Sequence, residues 1–375
     1  MSRLVLVLAL LCSCSDDAAK KDVDLGGVEA GVDGAVDSGV DAAAEAGLDA
    51  AVDQSAVDGP VSACDPSLDL TPLSLDTGFC VVRRFDLPTQ IDAVGLRGTS
   101  VYVFSLDTAP TGKVSQATID PVTGKPGAYT SLFTFTPGLS GTLFASAYLA
   151  LSPGGYAAAG YTVDTTYEGQ VFWGNKGTGA PNLVDKASGN FDVVFLDNQT
   201  MLINGTGVGT AQDGQGVYLY QQGKTPRRLI TDLGVASGFV AVGKKAVFAG
   251  GYFTGGSKIY GFSVAEVQSA IAGGGTLTPT ADGDLILDGS AGDAAALEDE
   301  LVVVKLDSSW AFDGVARIPV TVSGNTVTPG APVDLVTKPG GATATVSGLA
   351  TGSGQQLGLV LQGTGQSELV IVEPK

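Results

Sequence analysis

Histidine is absent from all 375 residues. That removes the side chain whose proton equilibrium lies nearest neutral pH, and with it Ser-His-Asp and Cys-His nucleophile systems and the commonest metal ligand. Charge is scarce as well, at 16% of residues, and it is one-sided: 20 basic against 39 acidic residues give a net charge of −19. A nucleic-acid partner would lack its main electrostatic driving force, so none is expected. Cysteine is limited to four residues with no CxxC pair, which excludes the usual zinc and dithiol motifs. Helical periodicity is also rare. What the chain has in quantity is glycine, 54 residues at about twice the usual frequency, punctuating short apolar runs. That combination predicts an all-β fold, and one β architecture can use 200 residues or more as a single domain.

The chain opens with Arg3 and eight apolar residues, Leu4 to Leu11, too few to span a bilayer as a helix but enough for a secretory signal. The next residues, Leu11-Cys12-Ser13-Cys14, resemble the lipobox of bacterial lipoproteins, with an aliphatic residue three before the cysteine and a small one directly before it. The resemblance implies a signal peptide over 1–13, a lipid anchor on Cys14 and a membrane as the first partner. Ser15 follows where an aspartate would retain some bacterial lipoproteins at the inner membrane, so the expected location is the outer membrane, facing the periplasm or the cell surface.

Residues 14–60 form an acidic, low-complexity stretch. Glu29, Asp33, Asp37, Asp41, Glu45, Asp49 and Asp53 recur every four residues, so a helix would stack like charges, and interspersed glycines weaken it further. A disordered, self-repelling tether is expected, with a flexible-chain span of about 35 to 40 Å before repulsion lengthens it.

Cys64 and Cys80 remain as an isolated pair in an exported chain, and a disulfide is expected to close the lead-in over 61–78. From residue 79 the pattern is periodic. Apolar first strands begin near Ile91, Phe144, Phe191, Phe239, Ala294 and Thr345, at spacings of 53, 47, 48, 55 and 51 residues. Their best second strands, Ser100–Phe104, Ala246–Ala249 and Leu301–Val304, are continuous hydrophobic runs suited to burial on both faces.

Four-stranded units at this pitch resemble the blades of six-bladed β-propellers, over residues 79–375 and without a WD or kelch signature. The last unit supplies three strands before Lys375, so the strand Phe79 to Leu87 is expected to complete it and close the ring. Seven shorter blades or tandem β-sandwiches are the alternatives. One helical insert is expected over Ser263 to Ala272, capped by Ser263 with Glu266 and ended by Gly273.

No catalytic set, cofactor site or metal site stands out. Asp282, Asp284 and Asp288, followed by Asp293, form the densest acid cluster of the folded part; the first three are candidate calcium ligands, although Ile286 interrupts any EF-hand spacing and a solvated turn is the favoured explanation. Tyr252 and Phe253, among glycines, are a candidate ligand loop that also reads as a plain turn. Arg227 and Arg228 are a possible anion site, and Trp173 and Trp310 either line an end of the ring or fill gaps between blades. The function expected is binding of a protein or a glycan by a propeller displayed on the cell envelope. The alternatives are an extracytoplasmic hydrolase or calcium-dependent sugar-processing enzyme, and a passive structural surface protein.

Overall fold

The computed structural model describes residues 64–375 apart from 90, 107–110, 140–142, 164–167, 176–179, 185–186, 188–191, 212–213, 234, 254–255, 353 and 364. The expected signal peptide, Cys14 and the tether lie outside the described residues.

The folded part is a six-bladed β-propeller. Its lead-in carries β1 (Ser74–Leu75) and β2 (Phe79–Asp86). Blade 1 comprises β3 (Ala93–Arg97), β4 (Ser100–Leu106), β5 (Gly112–Thr118) and β6 (Thr130–Phe135). Blade 2 follows with β7 (Leu143–Leu151), β8 (Ala157–Val163), β9 (Gly169–Gly174) and β10 (Asn182–Val184). Blade 3 is β11 (Asp192–Phe195), β12 (Thr200–Gly205), β13 (Gly216–Gln221) and β14 (Arg227–Thr231). Blade 4 is β15 (Val235–Val242), β16 (Ala246–Phe253), β17 (Gly256–Ser263) and β18 (Asp284–Asp288), with helix α1 (Val264–Gly273) between its last two strands. Blade 5 is β19 (Ala291–Leu297), β20 (Glu300–Leu306), β21 (Phe312–Ser323), β22 (Thr326–Pro329) and β23 (Val333–Thr337). Blade 6 is β24 (Thr345–Thr351), β25 (Leu357–Gln362) and β26 (Glu368–Pro374), completed by β2.

Each blade is an antiparallel meander, and the first strands of successive blades, β3, β7, β11, β15, β19 and β24, adjoin one another around the axis. Antiparallel order gives the ring two distinct faces. One carries the first-to-second and third-to-fourth strand turns; the other carries the second-to-third turns and the links between blades. They are called the turn face and the link face below.

Side-chain alternation explains the apolar runs. Leu301 and Val303 of β20 pack toward blade 4, whereas Val302 and Val304 pack toward blade 6, so all four are buried. The same holds around the ring. The buried apolar side chains among the described residues fall into six clusters, one at each blade-to-blade interface. No blade has a core of its own.

Closure uses more of the lead-in than its sequence suggests. β2 pairs antiparallel with β26, from Phe79 opposite Pro374 to Asp86 opposite Glu368, as expected. Ahead of it, β1 pairs with β23 of blade 5, and Leu70 and Leu73 are buried at the interface of blades 5 and 6. The Cys64–Cys80 disulfide is present. Arg84 donates from Nε to Glu368 Oε1 (3.3 Å) and from a terminal nitrogen to Glu368 Oε2 (2.8 Å), and it also reaches the Asp69 carbonyl at 3.0 Å. The N-terminal segment therefore fastens two blades.

Blade 5 departs from the four-strand pattern. β21 runs to twelve residues and turns at Gly324 into β22, whose Val327 N–H donates to Asp284 Oδ2 of blade 4 at 2.6 Å. Helix α1 is capped as expected, Ser263 Oγ accepting from the Glu266 N–H at 3.1 Å. It runs one residue beyond expectation, through Gly273, with Gly274 in the left-handed conformation that ends it. At that end Arg227 of β14 donates to the carbonyls of Ala270 (2.8 Å) and Gly275 (2.6 Å), so the suspected anion site holds carbonyls left open by the helix.

Candidate functional site

Two places in the ring gather polar side chains: the axial channel near the link face, and a cleft on the turn face between blades 2 and 3.

In the channel, Asp192 stands at the start of β11 and Asp293 near the start of β19. Each carboxylate bridges two blades. Asp192 accepts from the Val193 N–H (2.8 Å) and from the Val240 N–H of blade 4 (2.9 Å). Asp293 accepts from the Ala294 N–H (2.8 Å) and from the Leu349 N–H of blade 6 (2.7 Å). Both residues are half-buried. Desolvation, followed by the negative charge of Asp293, holds Asp192 well above the usual carboxylate range despite two amide donors. Burial lifts Asp293 to about 6 against the same kind of opposition. Tyr148, buried on β7, is also raised, by desolvation and then by the Asp192 charge. Asp192 was missed in the sequence, and Asp293 was noted only as the last member of the acid cluster that begins at Asp282. A signal was present: Asp92, Asp192 and Asp293 each precede a first-strand apolar run, at intervals of two blades. In blade 1, Asp92 Oδ2 accepts from the Leu106 N–H at 2.7 Å.

The cleft is built from four turns. Blade 2 supplies Tyr156, following its first turn, and Trp173, Ala180 and Asn182 around its second. Blade 3 supplies Asp197, Asn198, Gln199 and Thr200 from its first turn and Gln221, Gln222 and Lys224 from its second. The walls enclose two adjoining chambers, an inner one of about 260 Å³ and an outer one of about 550 Å³. Asn198 clamps the blades together, its Oδ1 accepting from Ser152 Oγ (2.9 Å) and the Gly154 N–H (2.7 Å). The Gln222 N–H donates to the Gln199 carbonyl at 3.0 Å and so ties the two blade 3 turns to each other. Trp173 fills the gap between the blades, 5.6 Å from the Tyr156 ring and 6.3 Å edge-on to Phe195 of blade 3.

The residues singled out in the sequence are dispersed. Tyr252 and Phe253 end β16 on the link face, and the side chains of both lie outside the described set. Asp282 Oδ2 accepts from the Thr278 N–H and hydroxyl, and Asp284 Oδ2 is engaged by Val327. Asp288 lies at the far end of β18 from Asp284, a separation of about 13 Å at the usual strand rise. Among the described residues no group of three or more acids or cysteines converges on a metal position. Trp310, half-exposed, sits in the turn before β21 on the link face, opposite to Trp173.

Fold and site together define a six-bladed β-propeller with a carboxylate-clasped channel and a lateral polar cleft. No family model matches the chain, and no curated protein matches it. In fold it is similar to the β-propeller domain of the trilobed protease from Pyrococcus furiosus, at 10% identity and a TM-score of 0.41 over 76% of this chain and 84% of that one. It is similar also to a putative glucose dehydrogenase from Thermus thermophilus, at 10% identity and a TM-score of 0.47 over 77% and 99%. A third is AofleA from Arthrobotrys oligospora, at 8% identity and 0.44 over 76% and 86%. Likenesses this distant bear on architecture and not on activity.

Proposed function

We propose that this chain is a lipid-anchored envelope protein, held at the outer membrane through Cys14 and facing the periplasm or cell surface, whose propeller binds a protein or glycan without turning it over. One observation supports binding over catalysis. The paired carboxylates have their oxygens engaged by backbone amides of the ring, two donors each, so their first role is to hold neighbouring blades together. The open cleft, by contrast, is lined mainly by amides and aromatics. Lipid anchoring rests on the lipobox-like Leu11-Cys12-Ser13-Cys14.

The tests are direct. Wild-type protein labelled metabolically with a fatty acid should co-fractionate with outer membranes, and Cys14→Ser should lose both label and membrane association; unchanged fractionation would defeat the anchor. Purified full-length protein in detergent should co-sediment saturably with envelope material and leave its ligand chemically intact. A second reading, an acid-dependent hydrolase, draws on the raised and mutually interacting Asp192 and Asp293. It predicts product release from glycoside or ester substrates at pH 5 that Asp192→Asn abolishes.

A further inference from the structure

The cleft between blades 2 and 3 contains a buried polar atom that no protein group satisfies. Trp173 lines the inner chamber and is 1% exposed, and its indole nitrogen has no hydrogen-bond partner. Leaving a buried N–H unpaired costs roughly 1 to 3 kcal/mol, so such a group is normally matched by something the protein chain does not itself provide. Tyr156 and Phe195 pack against the indole, with ring centroids 5.6 and 6.3 Å away, and hold it in place at the chamber wall.

We infer that this cleft is a binding site for a neutral carbohydrate, with one sugar ring in the inner chamber against Trp173 and its neighbour in the outer one. The inference rests on the binding reading given above and assigns it a place and a ligand class. Three features select a sugar. First, the described residues that line the inner chamber are Tyr156, Trp173, Ala180, Asn182, Gln199 and Gln222, and none of these carries a charge to match a charged ligand. Second, Asn182, Gln199 and Gln222 each offer an acceptor and two donors, the complement of adjacent hydroxyls that both donate and accept. Third, Tyr156 supplies aromatic surface for the apolar face of a sugar ring, while the chamber lacks the deep apolar pocket that would anchor a hydrophobic peptide side chain. The outer chamber, at about 550 Å³, is within the ordinary size of small-molecule sites. Asp197 and Lys224 stand only there.

The experiment is a titration of the full-length protein in detergent with a panel of neutral hexoses, deoxyhexoses, N-acetylhexosamines and their disaccharides, followed by calorimetry and tryptophan fluorescence. At least one sugar should bind saturably and perturb the emission. Trp173→Phe retains an aromatic ring but removes the N–H; it should weaken binding about tenfold or more while the melting temperature stays close to wild type. Gln222→Ala, at an exposed turn position, should weaken binding with no effect on folding, and Lys113→Ala on blade 1, outside the cleft, should leave binding unaffected. Sugar binding that neither Trp173→Phe nor Gln222→Ala weakens would overturn the assignment. So would a panel with no binder. Treating the envelope material with periodate or with protease separates the two levels of claim. Co-sedimentation lost only after protease defeats the carbohydrate assignment and leaves the binding function standing, whereas no co-sedimentation at all defeats both.

Discussion

Asp293 shows how a single side chain can both hold the ring and oppose its stability. Its two backbone bonds join blades 5 and 6, yet burial raises its pKa from the ordinary 3.8 to about 6. A carboxyl with a raised native pKa contributes most below its unfolded value, and that contribution is lost as pH rises through about 6. The difference is up to about 3 kcal/mol, from a shift of roughly two units. Urea unfolding of wild type and Asp293→Asn at pH 4.5 and 7.5 should therefore show wild type losing stability relative to the variant on going to pH 7.5. Parallel behaviour of the two proteins would show that Asp293 does not titrate in this range. Comparing the two cancels the opposite contributions of exposed acids such as Asp65, Asp120 and Asp307, whose pKa values are lowered by hydrogen bonds to Ser67, to Thr123 and Val122, and to Ser309 and Ala311 respectively.

Gly251 makes the converse point about side chains that are absent. A Cβ at this position would lie 2.0 Å from the Leu233 carbonyl oxygen, a backbone atom of the preceding blade with little freedom to move. Gly251→Ala should lower the melting temperature by several degrees or prevent folding, through forced separation of blades 3 and 4. A melting curve that matched wild type would show that the interface can yield. The glycine richness that first suggested turns is thus partly a packing requirement, which composition alone does not distinguish.

At the scale of elements, the lead-in and helix α1 carry separable contributions. The Cys64–Cys80 disulfide fixes the start of β2, and replacing both cysteines by serine should cost about 3 kcal/mol in the chain-entropy view, measured by urea unfolding. An unchanged midpoint would mean that β2 is held fully by its pairing with β26 and by Arg84 on Glu368. For α1, Ser263→Ala removes the hydroxyl that accepts from the Glu266 N–H and should cost about 1 kcal/mol. Both devices were legible from residue type and spacing, because capping and disulfide closure act between residues close in sequence. β1 was not legible: Ser74-Leu75 becomes a strand only because β23 offers it an edge.

For the whole molecule, ring closure is the governing event. Every apolar cluster spans two blades, so opening the ring between any pair exposes a full interface. Deleting residues 1–87 removes β1 and β2, uncovers the edges of β23 and β26, and should yield a species whose apparent size on size-exclusion chromatography rises with concentration more than that of the full chain. A truncated chain that eluted like the full chain at every concentration, with an unaltered melting temperature, would show that the lead-in is dispensable.

The sequence by itself determined the all-β class, the pitch of about fifty residues, the closing strand and the helix. These follow from local rules: alternation along a strand, turn residues at its ends, and the need of a strand buried on both faces to be apolar throughout. Only the tertiary structure decided where the polar chemistry sits. Asp192 and Asp293 are about a hundred residues apart in the chain and act on each other across the axis. The cleft takes Tyr156 and Trp173 from one blade and Gln199 and Gln222 from the next. The acids leave only their recurrence every two blades, and the cleft leaves no spacing motif, because each is assembled by the ring bringing separate turns and strand ends together.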